Sequence, residues 1–154
     1  MAFREKAAWA SLLVTLIVWS SYFLTVATEI AGGRPDGDLV MERFVGTVVL
    51  SIVLSIVSAI ALALFAGGDA DAPADERERL IGLRATNLAY TILSLGVLFV
   101  ALTTPFIAAV GLDLFPGRPE HATALIAANG VLFAFVLAEV SREIGQIVGY
   151  RRGR

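Results

Sequence analysis

The sequence predicts an all-α integral membrane protein, a four-helix bundle made of two hairpins, with both termini and the central connector on the cytoplasmic side. Composition is the first observation behind this. Of the 154 residues, 57% are hydrophobic and 17% are charged, against roughly 45–50% and 25% in ordinary soluble domains. The second is the presence of four apolar runs, at about 7–30, 43–66, 84–109 and 122–150. At about 1.5 Å per residue, each is long enough to cross a hydrocarbon core of roughly 30 Å. The third is the placement of positive charge. Arg4, Lys6, Arg77, Arg79, Arg84, Arg142, Arg151, Arg152 and Arg154 flank one side of the spans, whereas Arg34, Arg43 and Arg118 flank the other. Positive residues are retained in the cytoplasm, so this nine-to-three bias gives a multi-pass protein of the bacterial inner membrane with N-in, C-in topology.

The same composition excludes several functional classes. A net charge of −2 with no basic domain argues against direct nucleic-acid binding. The absence of cysteine removes disulfides, thiolate metal sites and thiol chemistry. A single histidine, His121, excludes a multi-histidine metal or haem site within one chain. The chain has no Ser/His/Asp set, no phosphate-cradling glycine loop, no HExxH and no carboxylate pair at catalytic spacing. The expectation is a protein that is not an enzyme and carries no cofactor. His121, next to Glu120, can titrate near neutrality, but the simpler reading is a polar residue at a helix entrance.

In the first span, an apolar run of this length exceeds the 7–15 residues of a signal-peptide core. It is therefore read as a retained helix, although Thr25-Val26-Ala27 resembles a weak cleavage site. Residues 31–38, rich in Gly, Pro and Asp, form the first loop. The second span carries small residues at spacing four: Thr47, Ser51, Ser55, Ala59 and Ala63. Such a row permits close helix approach, and helix packing is preferred to a polar track because nothing on the row is ionisable. Gly67-Gly68 ends this span, and the linker occupies 67–83. Within it, Asp75 and Glu78 have capping-box spacing and Asp75/Arg79 an i,i+4 charge pairing, so the third helix starts in water. Thr104-Pro105 predicts a kink, with the threonine hydroxyls satisfying freed carbonyls. Residues 111–121 are read as the last loop, and the fourth span ends in a basic tail. Trp9 and Tyr150 are placed at the inner interface and Trp19 in packing. Gly33-Arg34-Pro35 and Gly117-Arg118-Pro119 sit in equivalent outer loops, as a parallel duplication or chance would produce.

Among ionisable residues, Glu29 and Glu139 lie in apolar spans and are the candidate coupling carboxylates of a transporter or channel component. Against that reading, Glu29 is near a helix end, and Glu139 lies near the inner headgroups with Arg142 available at i+3. Asn87 and Asn129 are expected to bridge helices, and Gly145 and Gly149 form a GxxxG suited to packing. Charges of both signs emerge together on the cytoplasmic side. Asp75, Glu76, Arg77 and Arg84 precede the third span, and Arg142, Arg151 and Arg152 end the fourth. They form a candidate face for a protein partner or a second copy, with Arg151, Arg152 and Arg154 also contacting anionic membrane lipids.

Asp75-Glu76-Arg77, then Ile81 with Arg84-Ala85, and Tyr150-Arg151-Arg152-Gly153 resemble the motifs of a family of small, uncharacterised prokaryotic four-helix membrane proteins. That family has a DER-type motif before the third helix and a tyrosine-arginine-glycine ending. Arg84 stands where the resemblance implies a lysine. Some members are thought to be encoded beside small helix-turn-helix regulators, which implies a cytoplasmic transcriptional regulator as a partner class.

Overall fold

The structure is a computed structural model that describes residues 3–32, 37–66, 73, 75–114 and 119–152, leaving aside the side chains of 66, 110–114 and 119–122. The described chain is four helices: α1 (Phe3–Ala31), α2 (Gly37–Ala66), α3 (Glu76–Leu114) and α4 (Pro119–Arg152). By length and composition all four can cross a membrane. They span 29, 30, 39 and 34 residues, or about 44–58 Å, so each exceeds the hydrocarbon core and extends beyond it or tilts within it. Large apolar side chains face outward on every helix, among them Ile17, Val57, Phe99 and Phe133. Soluble monomers do not expose contiguous apolar surface on this scale. Among the described residues the molecule is all-α, and its four helices are long and apolar enough to cross a membrane.

Local chemistry explains the helix ends. Asp75 caps α3: its Oδ1 accepts from the Glu78 amide at 2.6 Å, and Glu78 Oε2 accepts from the Asp75 amide at 3.3 Å. Two otherwise orphaned donors are thus satisfied reciprocally. Pro119 opens α4, where a missing amide hydrogen costs nothing. The loop expected over 111–121 is therefore shorter, because α3 runs on to Leu114 and α4 begins at Pro119. Likewise α2 starts at Gly37, with Asp38 in its first turn against the positive end of the helix dipole. Gly67-Gly68, Gly33-Arg34-Pro35, Gly117-Arg118 and Arg154 lie outside the described residues, as does the side chain of His121.

α3 continues through Pro105 without a break. The hydroxyl of Thr104 donates to the Val100 carbonyl at 2.8 Å, and that of Thr103 donates to the Phe99 carbonyl at 2.8 Å. These acceptors differ from the expected one. Proline removes the donor of Ala101, and a helical threonine at 103 or 104 bonding four residues back falls short of that carbonyl.

α3 and α4 form the most extensively packed pair, while α1 packs on both α2 and α4. Small residues set the α3–α4 contact. A Cβ added at Gly96 would lie 2.5 Å from the Ala134 Cβ, one at Gly149 2.7 Å from Ile81, one at Gly130 3.0 Å from Val100, and one at Gly145 3.3 Å from Ala85. In each pair the residue numbers have the same sum, as a continuous antiparallel hairpin in one register requires. Gly145 and Gly149 are thereby used within the chain. At the loop end, Tyr22, Val26 and Val40 are buried under Trp19, Phe23, Ile30, Phe44, Leu125 and Leu132, joining α1, α2 and α4. Trp19 packs edge-on to Tyr22 with ring centroids 5.8 Å apart.

On α2, Thr47 and Ser51 are half-buried, whereas Ser55, Ala59 and Ala63 are exposed. A row at spacing four turns by about 40° per step on a 3.6-residue helix, so it rotates away from any straight neighbour. The better-buried line runs instead through Val40, Phe44, Val48, Ser51, Ser58 and Leu62.

The seam predicts opposite signs for two glycine substitutions in α3. Gly96→Ala collides with Ala134 and is expected to destabilise by about 1–3 kcal/mol. Gly82→Ala, with nothing within 4 Å of the new Cβ, is expected to stabilise by about 0.5–1 kcal/mol. Thermal unfolding in detergent compares them; equal shifts would contradict the seam.

Candidate functional site

The start of α1, the start of α3 and the end of α4 meet at one end of the bundle, here termed the linker end. Arg4 Nε lies 3.2 Å from Glu78 Oε2, tying α1 to α3. Arg151 Nε lies 3.5 Å from Glu5 Oε1, tying α4 to α1. The Arg151 guanidinium also sits over the Trp9 ring, 5.3 Å from its centroid, so one cation serves a carboxylate and an aromatic face. Ala8, Leu12 and Ile147 pack beneath these pairs, with Trp9 and Val140 beside them.

Two carboxylates at this end are buried: Glu5 is 1% exposed and Glu143 4%. Glu143 Oε1 accepts from the Ser11 hydroxyl at 3.2 Å and from Arg142 Nη2 at 3.0 Å. The same Arg142 nitrogen lies 2.8 Å from Glu139 Oε2, forming the i,i+3 pair the spacing allows. Arg142 thus serves two carboxylates, one half-exposed and one buried. Ser11, Arg142 and Glu143 face a cavity of about 560 Å³ lined also by Arg4, Arg79, Glu78, Gln146 and Tyr150. Cationic and anionic side chains in comparable number converge there, a composition suited to a polar ligand, a proton or a polar peptide segment.

The other side of the same α3–α4 hairpin differs. A groove of about 410 Å³ is lined by Arg77, Leu80, Ile81 and Arg84 of α3 and by Gly145, Val148, Gly149 and Arg152 of α4. Among the described residues no carboxylate lines it. Arg77, Arg84 and Arg152 are exposed and have no ion-pair partner among the described residues. The charged set expected to form one face is therefore divided: Arg151 reaches Glu5 of α1 and Arg142 pairs with Glu139 and Glu143 of its own helix, while Arg77, Arg84 and Arg152 line the other groove. Asp75 and Glu76 are exposed at the start of α3 and line neither.

No family model matches the chain, and neither does any curated protein or solved structure.

The remaining candidate residues are placed as follows. Glu29 is paired with Arg43 across α1 and α2 at the loop end, so the charge of this carboxylate is matched by a neighbouring helix. Tyr22 donates to Asn129 Oδ1 at 2.9 Å, and Asn129 Nδ2 donates to the Leu125 carbonyl at 2.9 Å. Asn129 therefore bridges α1 and α4, whereas Asn87 is exposed on α3. Glu5 and Glu143 are the residues that reasoning from the sequence passed over. Glu5 sits among the polar residues before the first apolar run, and Glu143 lies one position beyond Arg142 in a polar-looking helix end. A usable signal was present: Ala8 and Leu12 share the helix face of Glu5 at spacings of three and seven, and Ile147 that of Glu143 at a spacing of four.

Removing Arg142 leaves the buried Glu143 with the Ser11 hydroxyl alone among the bonds described above. Arg142→Met is expected to destabilise by about 1–3 kcal/mol, and the double variant Arg142→Met/Glu143→Met by less than the single. A double-mutant cycle on chemical unfolding checks this; additive losses would show that the two side chains do not interact.

Proposed function

We propose that this chain is a non-enzymatic, multi-pass protein of the inner membrane, with both termini cytoplasmic, whose linker end binds a cytoplasmic protein partner or a second copy of itself. The observation that carries it is the convergence of three helix ends on one face, held by Arg4–Glu78 and Arg151–Glu5. Asp75, Glu76 and Arg77 remain exposed at its rim. Exposed charges of both signs next to a fixed network suit an electrostatically matched protein surface. The charge bias along the chain supports a cytoplasmic location for that end, and the resemblance of Asp75-Glu76-Arg77 and the Tyr150-Arg151-Arg152-Gly153 ending to a family linked with helix-turn-helix regulators makes a transcriptional regulator the partner class. In this reading the inter-helix ion pairs hold the face shut, and a change in the bilayer or the outer loops that loosens them alters partner access.

The exchange Glu76→Arg/Arg77→Glu preserves net charge and inverts its arrangement. Recovery of protein partners from membranes, and of a differently tagged second copy, is expected to fall at least about tenfold, since opposed like charges at an interface cost several kcal/mol. Unchanged recovery of both overturns the reading.

A second reading is favoured by the 4% exposure of Glu143 at the wall of the 560 Å³ cavity. A buried carboxylate bordering a polar cavity in a membrane helix is the arrangement of a coupling site in a small transporter or channel component. It shifts that role to Glu143 from Glu29 and Glu139, neither of which lines that cavity. The expected result is proton uptake into liposomes containing the protein that is lost in Glu143→Gln and kept in Glu139→Gln. No uptake above protein-free liposomes removes this reading.

A further inference from the structure

We infer that the groove between the start of α3 and the end of α4 is a binding site for the headgroup of an anionic phospholipid. The two helices present matching faces to it, with residues 77, 80, 81 and 84 on one and 145, 148, 149 and 152 on the other. Positions i, i+3, i+4 and i+7 share one side of a helix, so the groove is a feature of the regular hairpin. Gly145 and Gly149 bring α4 close enough that a Cβ at Gly149 would meet Ile81 at 2.7 Å. The floor is therefore apolar and tightly closed, while Arg77, Arg84 and Arg152 stand around it.

Arg77 and Arg84 are seven residues apart, or about 10 Å along the axis, so the positive charge extends from the tip of the helix toward the apolar span. Leu80 is 54% exposed and Val148 38%, lining the same groove with apolar surface. A ligand matching this arrangement carries negative charge at one end and hydrocarbon at the other. Guanidinium groups pair with phosphate oxygens through two parallel N–H donors, and basic pockets between membrane helices accept phospholipid headgroups in this way. A soluble anion satisfies the arginines but leaves Leu80 and Val148 in water. An acidic protein segment would need to enter the apolar part of the groove. An anionic phospholipid fills both parts, and the cytoplasmic leaflet of a cell membrane carries such lipids.

This inference is independent of the partner-binding reading, because its test contains no second protein. Full-length protein in a neutral detergent is titrated with phosphatidylglycerol or phosphatidylcholine and bound lipid is counted by native mass spectrometry. Phosphatidylglycerol is expected to bind and phosphatidylcholine to bind at least tenfold more weakly, as predicted for about fivefold per arginine contact. Arg84→Gln/Arg152→Gln is expected to weaken phosphatidylglycerol by about 25-fold. Lys6→Gln/Arg79→Gln, which removes the same charge from outside the groove, is expected to change it less than twofold. Circular dichroism establishes that each variant keeps its helices, and the single variants Arg84→Gln and Arg152→Gln supply the result if the double variant does not fold. Equal losses in the two double variants overturn the site in favour of general charge attraction. Equal binding of the two lipids, or displacement of phosphatidylglycerol by an equimolar amount of inorganic phosphate, also overturns it.

Discussion

Close approach of α3 and α4 is the constraint on which the other arrangements depend. Glycine faces a side chain of the opposite helix at Gly96, Gly130, Gly145 and Gly149, and each contact is too tight for a larger residue without movement. In a bilayer, hydrocarbon tails would provide no hydrophobic drive for helices to associate, and packing contact and polar bonds would have to hold them. A seam of small residues maximises that contact over the length of the hairpin. It also fixes register, since a slip of one residue would drive Ile81 or Val100 into a backbone position lacking room. Fixed register sets Arg77 near Arg152 on one side and turns Glu143 toward α1 on the other.

α1 then acts as the bridging element. At the linker end it contributes Arg4, Glu5 and Ser11 to partners on α3 and α4. At the loop end it contributes Tyr22 to Asn129 and an aromatic cluster in which Trp19, Tyr22 and Phe23 meet Phe44 and Phe133. Polar bonds at one end and ring contacts at the other hold the same helix at two levels. α2 is attached by less: Val40 and Phe44 join the aromatic cluster and Arg43 pairs with Glu29, while none of the apolar window of α2 is buried within the chain. In a bilayer that surface faces lipid.

Sorting of charge around the hairpin is the consequence with the most bearing on function. Along the chain, Arg77, Arg84, Arg142, Arg151 and Arg152 belong to two short polar segments and look equivalent. In space they divide by helix face. Arg151 meets Glu5 and the Trp9 indole ring of α1, and Arg142 meets Glu139 and Glu143 of its own helix, so the charge of both is matched within the chain. Arg77, Arg84 and Arg152 have no such partner among the described residues, which leaves their charge available to a ligand. A side that is matched internally and a side that is not give one end of the molecule two chemically distinct surfaces.

Helix number, approximate span limits and the Asp75–Glu78 cap were legible in the linear chain, because hydropathy over some 20 residues and capping chemistry over four are local properties. Interior packing on α4 was legible too, through Gly145 and Gly149, although the helix they would meet was not. The expected row through Ser55 and Ala59 left the buried side of α2 because a spacing of four does not follow a 3.6-residue helix over four turns. Burial of Glu5 and Glu143, and the partition of the arginines, depended on which faces of α1, α3 and α4 oppose one another. Those rotations are set by side chains more than 100 positions apart, as Ser11 and Glu143 are, and no window of sequence contains both. Thus the chain's own order was enough to name the four helices able to cross a membrane, whereas only their mutual rotation decided which charges are spent on one another and which still face outward.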